Sequence, residues 1–176
     1  MGIFGNDSAL LIIDMINDFG KPDGNLYVPG VENIIPKISD LITRARESSR
    51  PVIYVCDSHD RDDEEFERWG PHAIEGTPGS MVVEELKPAP EDFIVPKKRF
   101  SAFYNTRLEE ILREQGIKHL VITGTVTNIC VFASALDALM RGYKVTVMKD
   151  AVWGINPEDH EYALRQLKEV FGVEVL

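Results

Sequence analysis

The hydrophobic positions along the chain fall into two alternating rhythms. "ALLIID" (9–14), "PVIYVC" (51–56), "DFIVPK" (92–97), "KHLVIT" (118–123), "KVTVM" (144–148) and the closing "VEVL" are short apolar runs. They are too short for helices and read as buried strands. Between them the apolar residues spread to helical spacing. In "VENIIPKISDLITRARESS" they fall at 31, 34, 35, 38, 41, 42 and 45, with Pro36 acceptable only near the first turn. "NTRLEEILREQG" (105–116) reads as a helix capped by Asn105 and stopped by Gly116, and further helices are expected over 127–141 and 157–170. Strands alternating with helices predict an α/β fold: a doubly wound, Rossmann-like, six-stranded parallel sheet with helices on both faces. No repeat, low-complexity tract or Gly/Ser linker interrupts the pattern, so residues 1–176 are expected to form a single domain.

Such a sheet binds ligands outside the carboxyl ends of its strands. The residues that follow each predicted strand are Asp14, Asp57 to His59, Lys97, the turn "GTVTNIC" (124–130) and Asp150. Cys130 enters a helix from a strand. Unpaired N–H groups and the positive end of the helix dipole are expected there to lower the thiol pKa and to hold an oxyanion. A small buried helix residue would satisfy the same pattern. Asp14 ends an otherwise apolar strand, where a carboxylate is costly unless paired, although it could cap the next turn. Lys97 follows "FIV" in the same way and alone could point to solvent. Together the three offer a thiol nucleophile, a base and an orienting cation.

The segment 57–80 is a polar loop with ten charged residues and two of the four histidines. Asp57 and His59, two apart on an extended segment, can reach one ion, with His72 arriving from further along. Two histidines and a carboxylate with a position left open suit a divalent metal, zinc or iron being typical. A solvated acidic loop with stray histidines would look similar. His119 and His160 have no such company and read as ordinary surface or core residues. Cys56 closes an apolar run and reads as a buried strand residue, and two cysteines cannot build a disulfide framework.

The net charge of −10 argues against nucleic acid, and the one small basic cluster is "PKKRF" at 96–100. No apolar run approaches the roughly 18 residues of a membrane span. "MGIFGNDSALLIIDM" lacks the basic region of a secretory leader. The expectation is a cytoplasmic protein without nucleic-acid or membrane partners.

Taken together, these motifs resemble the isochorismatase-like cysteine hydrolase family and, within it, the metal-dependent nicotinamidases. "LLIIDMINDF" is similar to the family's opening strand and aspartate, here Asp14. "KKRFSAF" resembles its lysine segment, giving Lys97, and "GTVTNICV" its nucleophile turn, giving Cys130. "GPHAIEGTPG" and the tail from Ala135 are also similar to family members. The resemblance implies a Cys130 thioester mechanism with Asp14 as base and Lys97 as its partner. It implies a cis Thr125–Val126 peptide and an oxyanion hole of the Val126 and Cys130 amides. It further implies a divalent metal, zinc with iron or manganese as alternatives, on Asp57, His59 and His72, with Glu65, seven residues before His72, as a fourth ligand. The metal would bind the ring nitrogen of nicotinamide, with Phe19 and Trp69 as walls of the ring pocket. Hydrolysis to nicotinate and ammonia would be a step of NAD salvage, in a homo-oligomer. The short lysine-to-serine spacing of "KKRFSAF" is common in other amidases. Another small-amide or ureido hydrolase therefore stays open, as does a non-catalytic, metal-binding and redox-responsive member of the family.

Overall fold

A computed structural model describes residues 2–176; Met1, at the head of the segment expected not to be a leader, lies outside the described residues. The six apolar runs form one parallel sheet: β1 (Ser8–Ile13), β2 (Val52–Asp57), β3 (Phe93–Lys97), β4 (His119–Thr125), β5 (Lys144–Trp153) and β6 (Glu174–Val175). The strand order is β3-β2-β1-β4-β5-β6, so the chain reverses direction across the sheet between β1 and β4. This is the doubly wound α/β arrangement the alternation predicts, and its switch point is where such sheets open a ligand crevice.

The unbroken apolar runs follow from burial on both faces. Ala9, Leu11 and Ile13 of β1 enter one core with Ile53, Val55 and Val95, while Leu10 and Ile12 enter the other with Val52 and Tyr54. The first core is closed by α4 (Leu108–Glu114) and α5 (Phe132–Met140), and the second by α2 (Ile35–Glu47). Pro36 sits in the first turn of α2, after a tight 3₁₀ turn over Val31–Ile34. There its missing N–H costs nothing. Two short helices, α1 (Asn17–Gly20) and α3 (Phe66–Trp69), lie in stretches the apolar spacing leaves as turn or loop, and α6 (Pro157–Arg165) follows β5.

Three boundaries differ from expectation. Asn105 is not the cap of α4: it has φ 52°, and the helix starts after Thr106, whose Oγ1 accepts the Leu108 N–H at 3.3 Å. β5 runs on through Asp150 to Trp153, so Asp150 is an exposed strand residue and not part of a strand-end site. The expected helix from 127 opens as a wide π turn over Thr127–Val131 before α5. Cys56 is buried in β2, and His119 is buried between Ser8 Oγ (3.1 Å) and Thr146 Oγ1 (2.8 Å). Among the described residues no helix is long and apolar enough to cross a membrane.

Candidate active site

Four adjacent strand ends assemble the chemistry. Across β3-β2-β1-β4 the sheet presents Lys97, Asp57, Asp14 and the turn that carries Cys130, with Asp57 paired to Lys97 and Ile13 to Gly124 in register. Asp14 leaves its strand at φ 52°, its N–H held by the Val55 carbonyl at 2.9 Å. Gly124 has φ +108°, and a Cβ there would lie 2.0 Å from the Ile13 carbonyl oxygen. Only glycine lets the two strand ends approach this closely. The Thr125–Val126 peptide is cis, and the Ile129 and Val131 N–H groups donate back to the Val126 carbonyl at 3.0 and 3.2 Å. The Val126 N–H has no hydrogen-bond partner among the described residues.

Lys97 is the hub. Its Nζ lies 2.8 Å from Asp14 Oδ2 and 3.5 Å from Cys130 Sγ, and it also pairs with Asp57 Oδ1. Asp57 in turn donates its N–H to Asp14 Oδ1 at 2.7 Å. Asp14 and Lys97 are fully enclosed, with side-chain exposures of 0%. Carboxylate oxygens of Asp14 and Asp57 and the Cys130 sulfur all lie within 4.8 Å of one another.

Burial and the Asp57 charge push the Asp14 carboxyl up to about 6, against the pull of Lys97. Burial alone would drive Lys97 down, but the two carboxylates outweigh it and hold the ammonium well above its usual range. A carboxylate titrating just below neutrality is suited to general-base work. The thiol departs from the sequence-based expectation. Burial pushes Cys130 well above the ordinary thiol range, opposed by Lys97 and reinforced by Asp14 and Asp57. Burial is the largest of these influences, and it runs against the lowering expected from the turn's N–H groups.

The second cluster shares Asp57 with the first. Ligand atoms of Asp57, His59 and His72 lie within 4.8 Å of one another, and all three residues are buried. His72 Nδ1–H donates to the Gly70 carbonyl at 2.8 Å and His59 Nδ1–H to Asp63 Oδ2 at 3.1 Å. With Nδ1 so engaged, each ring has Nε2 left to offer, and His59 Nε2, 3.8 Å from Asp57 Oδ2, is buried with no hydrogen-bond partner. An orphaned buried nitrogen beside a carboxylate and a second imidazole fits a divalent cation, and the mixed N/O set suits zinc, iron or manganese. Burial alone would raise Asp57, but Lys97 and His59 keep it ionised below the usual range. Glu65 groups with His59 and Asp63 and lines the cavity beside Asp57 and His72.

Sequence reasoning missed Asp63. Burial would raise it, but the Glu65 N–H, the His59 ring and Arg99 bring its carboxyl down to about 2. Its position four residues after His59 was the available signal. Arg99 of the "KKRF" cluster is thus tied to the Asp63 and Glu64 carboxylates.

Both clusters open onto one cavity of about 340 Å³. Cys130, Val126 and Ile129 form one side, Asp57, Glu65 and His72 another. Phe19, Tyr27, Trp69, Phe100 and Ile155 supply aromatic and apolar walls, with Asn25, Leu26 and Val28 completing the lining. Among the described residues no lysine or arginine lines it.

The family model described as Isochorismatase domain matches residues 8–175. The pyrazinamidase of Pyrococcus horikoshii, solved in complex with zinc, is 35% identical with a TM-score of 0.91, covering 97% of this chain and 98% of that one. N-carbamoylsarcosine amidase of Thermoplasma acidophilum is 38% identical with a TM-score of 0.87, covering 96% and 95%. A probable inactive nicotinamidase of Arabidopsis thaliana, At3g16190, is 34% identical over 93% of this chain and 89% of its own length.

Proposed function

Because the chain belongs to the isochorismatase family of hydrolases, whose model spans nearly all of it, we propose that it is a single-domain cysteine amidohydrolase converting nicotinamide and water to nicotinate and ammonia. Asp14, with its raised pKa and its carboxylate beside the sulfur, takes the thiol proton as Cys130 Sγ attacks the amide carbon. The C=O electrons move onto oxygen, and the free Val126 N–H with the Cys130 N–H accommodates that charge. Collapse expels ammonia, which takes the proton held by Asp14, and leaves a thioester. Asp14 then draws a proton from water, whose oxygen attacks the thioester carbon; the departing sulfur takes that proton back from Asp14, and the acid leaves as nicotinate with its own proton passing to solvent. Lys97 stays cationic throughout and balances whichever of Asp14, Asp57 and the sulfur is anionic. A divalent metal on Asp57, His59 and His72, when bound, supplies a Lewis-acid site for the ring nitrogen. Phe19 and Trp69 flank the ring.

The observation that carries nicotinamide over a ureido substrate is the lining of the cavity. A carbamoylated amino acid brings a carboxylate, and among the described residues no lysine or arginine lines the cavity to pair with it. A flat, neutral ring amide meets aromatic walls and a ligand-rich end instead. The matched experiment compares nicotinamide with N-carbamoylsarcosine on zinc-loaded protein. The expected kcat/KM ratio favours nicotinamide by at least about a hundredfold, the cost of leaving one carboxylate buried and unpaired. A ratio near one or below it rejects nicotinamide as the preferred substrate. A catalytically idle, metal-binding member with a redox-responsive thiol draws support from the description of the plant relative. Measurable turnover of either amide rules it out.

A further inference from the structure

Asp18 is a buried carboxylate, 7% exposed, that forms no salt bridge among the described residues. Its partners are two backbone amides from different segments, one near in sequence and one far. Oδ2 accepts the Ala73 N–H at 2.7 Å and Oδ1 the Asn25 N–H at 3.1 Å. Ala73 is the residue after His72, has φ 44°, and accepts the His59 N–H on its carbonyl at 2.9 Å. One peptide-length unit thus carries His72 on one side and holds the His59 backbone on the other, and its amide is anchored only by Asp18. Asn25 begins the cavity wall that continues through Val28, and the Asp18 carbonyl accepts the Leu26 N–H at 3.0 Å. Gly79 closes over the carboxylate, where a Cβ would lie 2.2 Å from Oδ2. The chain leaves room for this side chain and for nothing larger beside it.

We propose that Asp18 is a positioning residue that fixes the separation of the two metal-binding histidines and ties it to the adjoining wall of the cavity. This rests on the metal reading given above. A carboxylate is required because two amide donors approach its two oxygens. The isosteric carboxamide has one acceptor and turns an N–H₂ toward the other donor, so one loop is released.

The test is Asp18→Asn, with zinc affinity measured by chelator competition and the visible spectrum of the cobalt-substituted protein as a second readout. The expected result is a zinc Kd raised by about tenfold or more, an altered cobalt spectrum, and a KM increase that exceeds any change in kcat at saturating metal. Metal-free protein is expected to unfold within a few degrees of wild type, which a loss of general structure would not produce. If Asp18→Asn does not fold, Asp18→Ser, whose shorter side chain reaches neither amide as Asp does, is read in the same way. Unchanged zinc affinity and an unchanged cobalt spectrum in a folded variant overturn the proposal while leaving the metal site intact. Failure of wild-type protein to bind zinc or cobalt overturns it together with the metal reading, whereas zinc binding without nicotinamide turnover counts against the substrate alone.

Discussion

Replacing Cys130 with alanine abolishes ammonia release from nicotinamide, lowering kcat by at least about four orders of magnitude. Among the described residues that line the cavity, Cys130 is the only thiol, and no serine or threonine is there to act instead. The substitution removes one sulfur atom from a site 7% exposed, so it changes stability by only about 1 kcal/mol. Circular dichroism and zinc binding are expected to match wild type, since the sulfur is not among the atoms grouped at Asp57, His59 and His72. Turnover that persists in folded Cys130→Ala would show that the reaction does not pass through this sulfur.

Lys97→Met carries the second large effect, and here stability and rate fall together. The ammonium sits between two buried carboxylates with side-chain exposures of 0% for Asp14 and 6% for Asp57. Removing it leaves two like charges facing each other, at a cost of about 3–5 kcal/mol. Lys97 also holds down the Asp14 pKa. In the variant, therefore, Asp14 titrates above its wild-type position near 6, and more alkaline conditions are needed to ionise the base. The acid limb of kcat/KM, expected as wild type is taken down through about pH 6, moves to higher pH. The stability deficit has the opposite trend. It is greatest where both carboxylates are ionised and shrinks on acidification, because protonation removes the uncompensated charge. Denaturant unfolding across pH and a pH–rate profile check the two signs. A variant as stable as wild type with an unmoved acid limb would contradict the hub role of Lys97.

The sheet was legible because its strands are buried on both faces and so appear as plain apolar runs. Strand ends then pointed to Asp14, Lys97 and Cys130 before any geometry: each alone had a bland explanation, and their joint occurrence set them apart, although the same reasoning also offered Asp150, which lies within β5. Helix starts were less legible. Asn105 has the chemistry of a cap, but it sits in a left-handed turn, and the cap position falls to Arg107, with the Thr106 hydroxyl accepting the Leu108 N–H. The direction of the thiol pKa was misread for a related reason. Sequence gives the turn's dipoles, whereas the dominant influences are burial and two carboxylates brought in from β1 and β2. Asp57 appeared as a metal ligand alone, and nothing in its spacing revealed that it also pairs with Lys97. Asp18 and Asp63 escaped notice because each acts through a loop contact. The Asp18 amide partners come from 7 and 55 residues away in sequence.

The most direct test of the central claim, an acyl-cysteine on the path from nicotinamide to nicotinate, is partitioning with hydroxylamine. Zinc-loaded protein turning over nicotinamide in the presence of hydroxylamine should yield nicotinohydroxamate at the expense of nicotinate, because the thioester accepts either nucleophile. Nicotinate as the sole product at undiminished rate would mean that water attacks the amide directly, and no product at all would remove nicotinamide as the substrate.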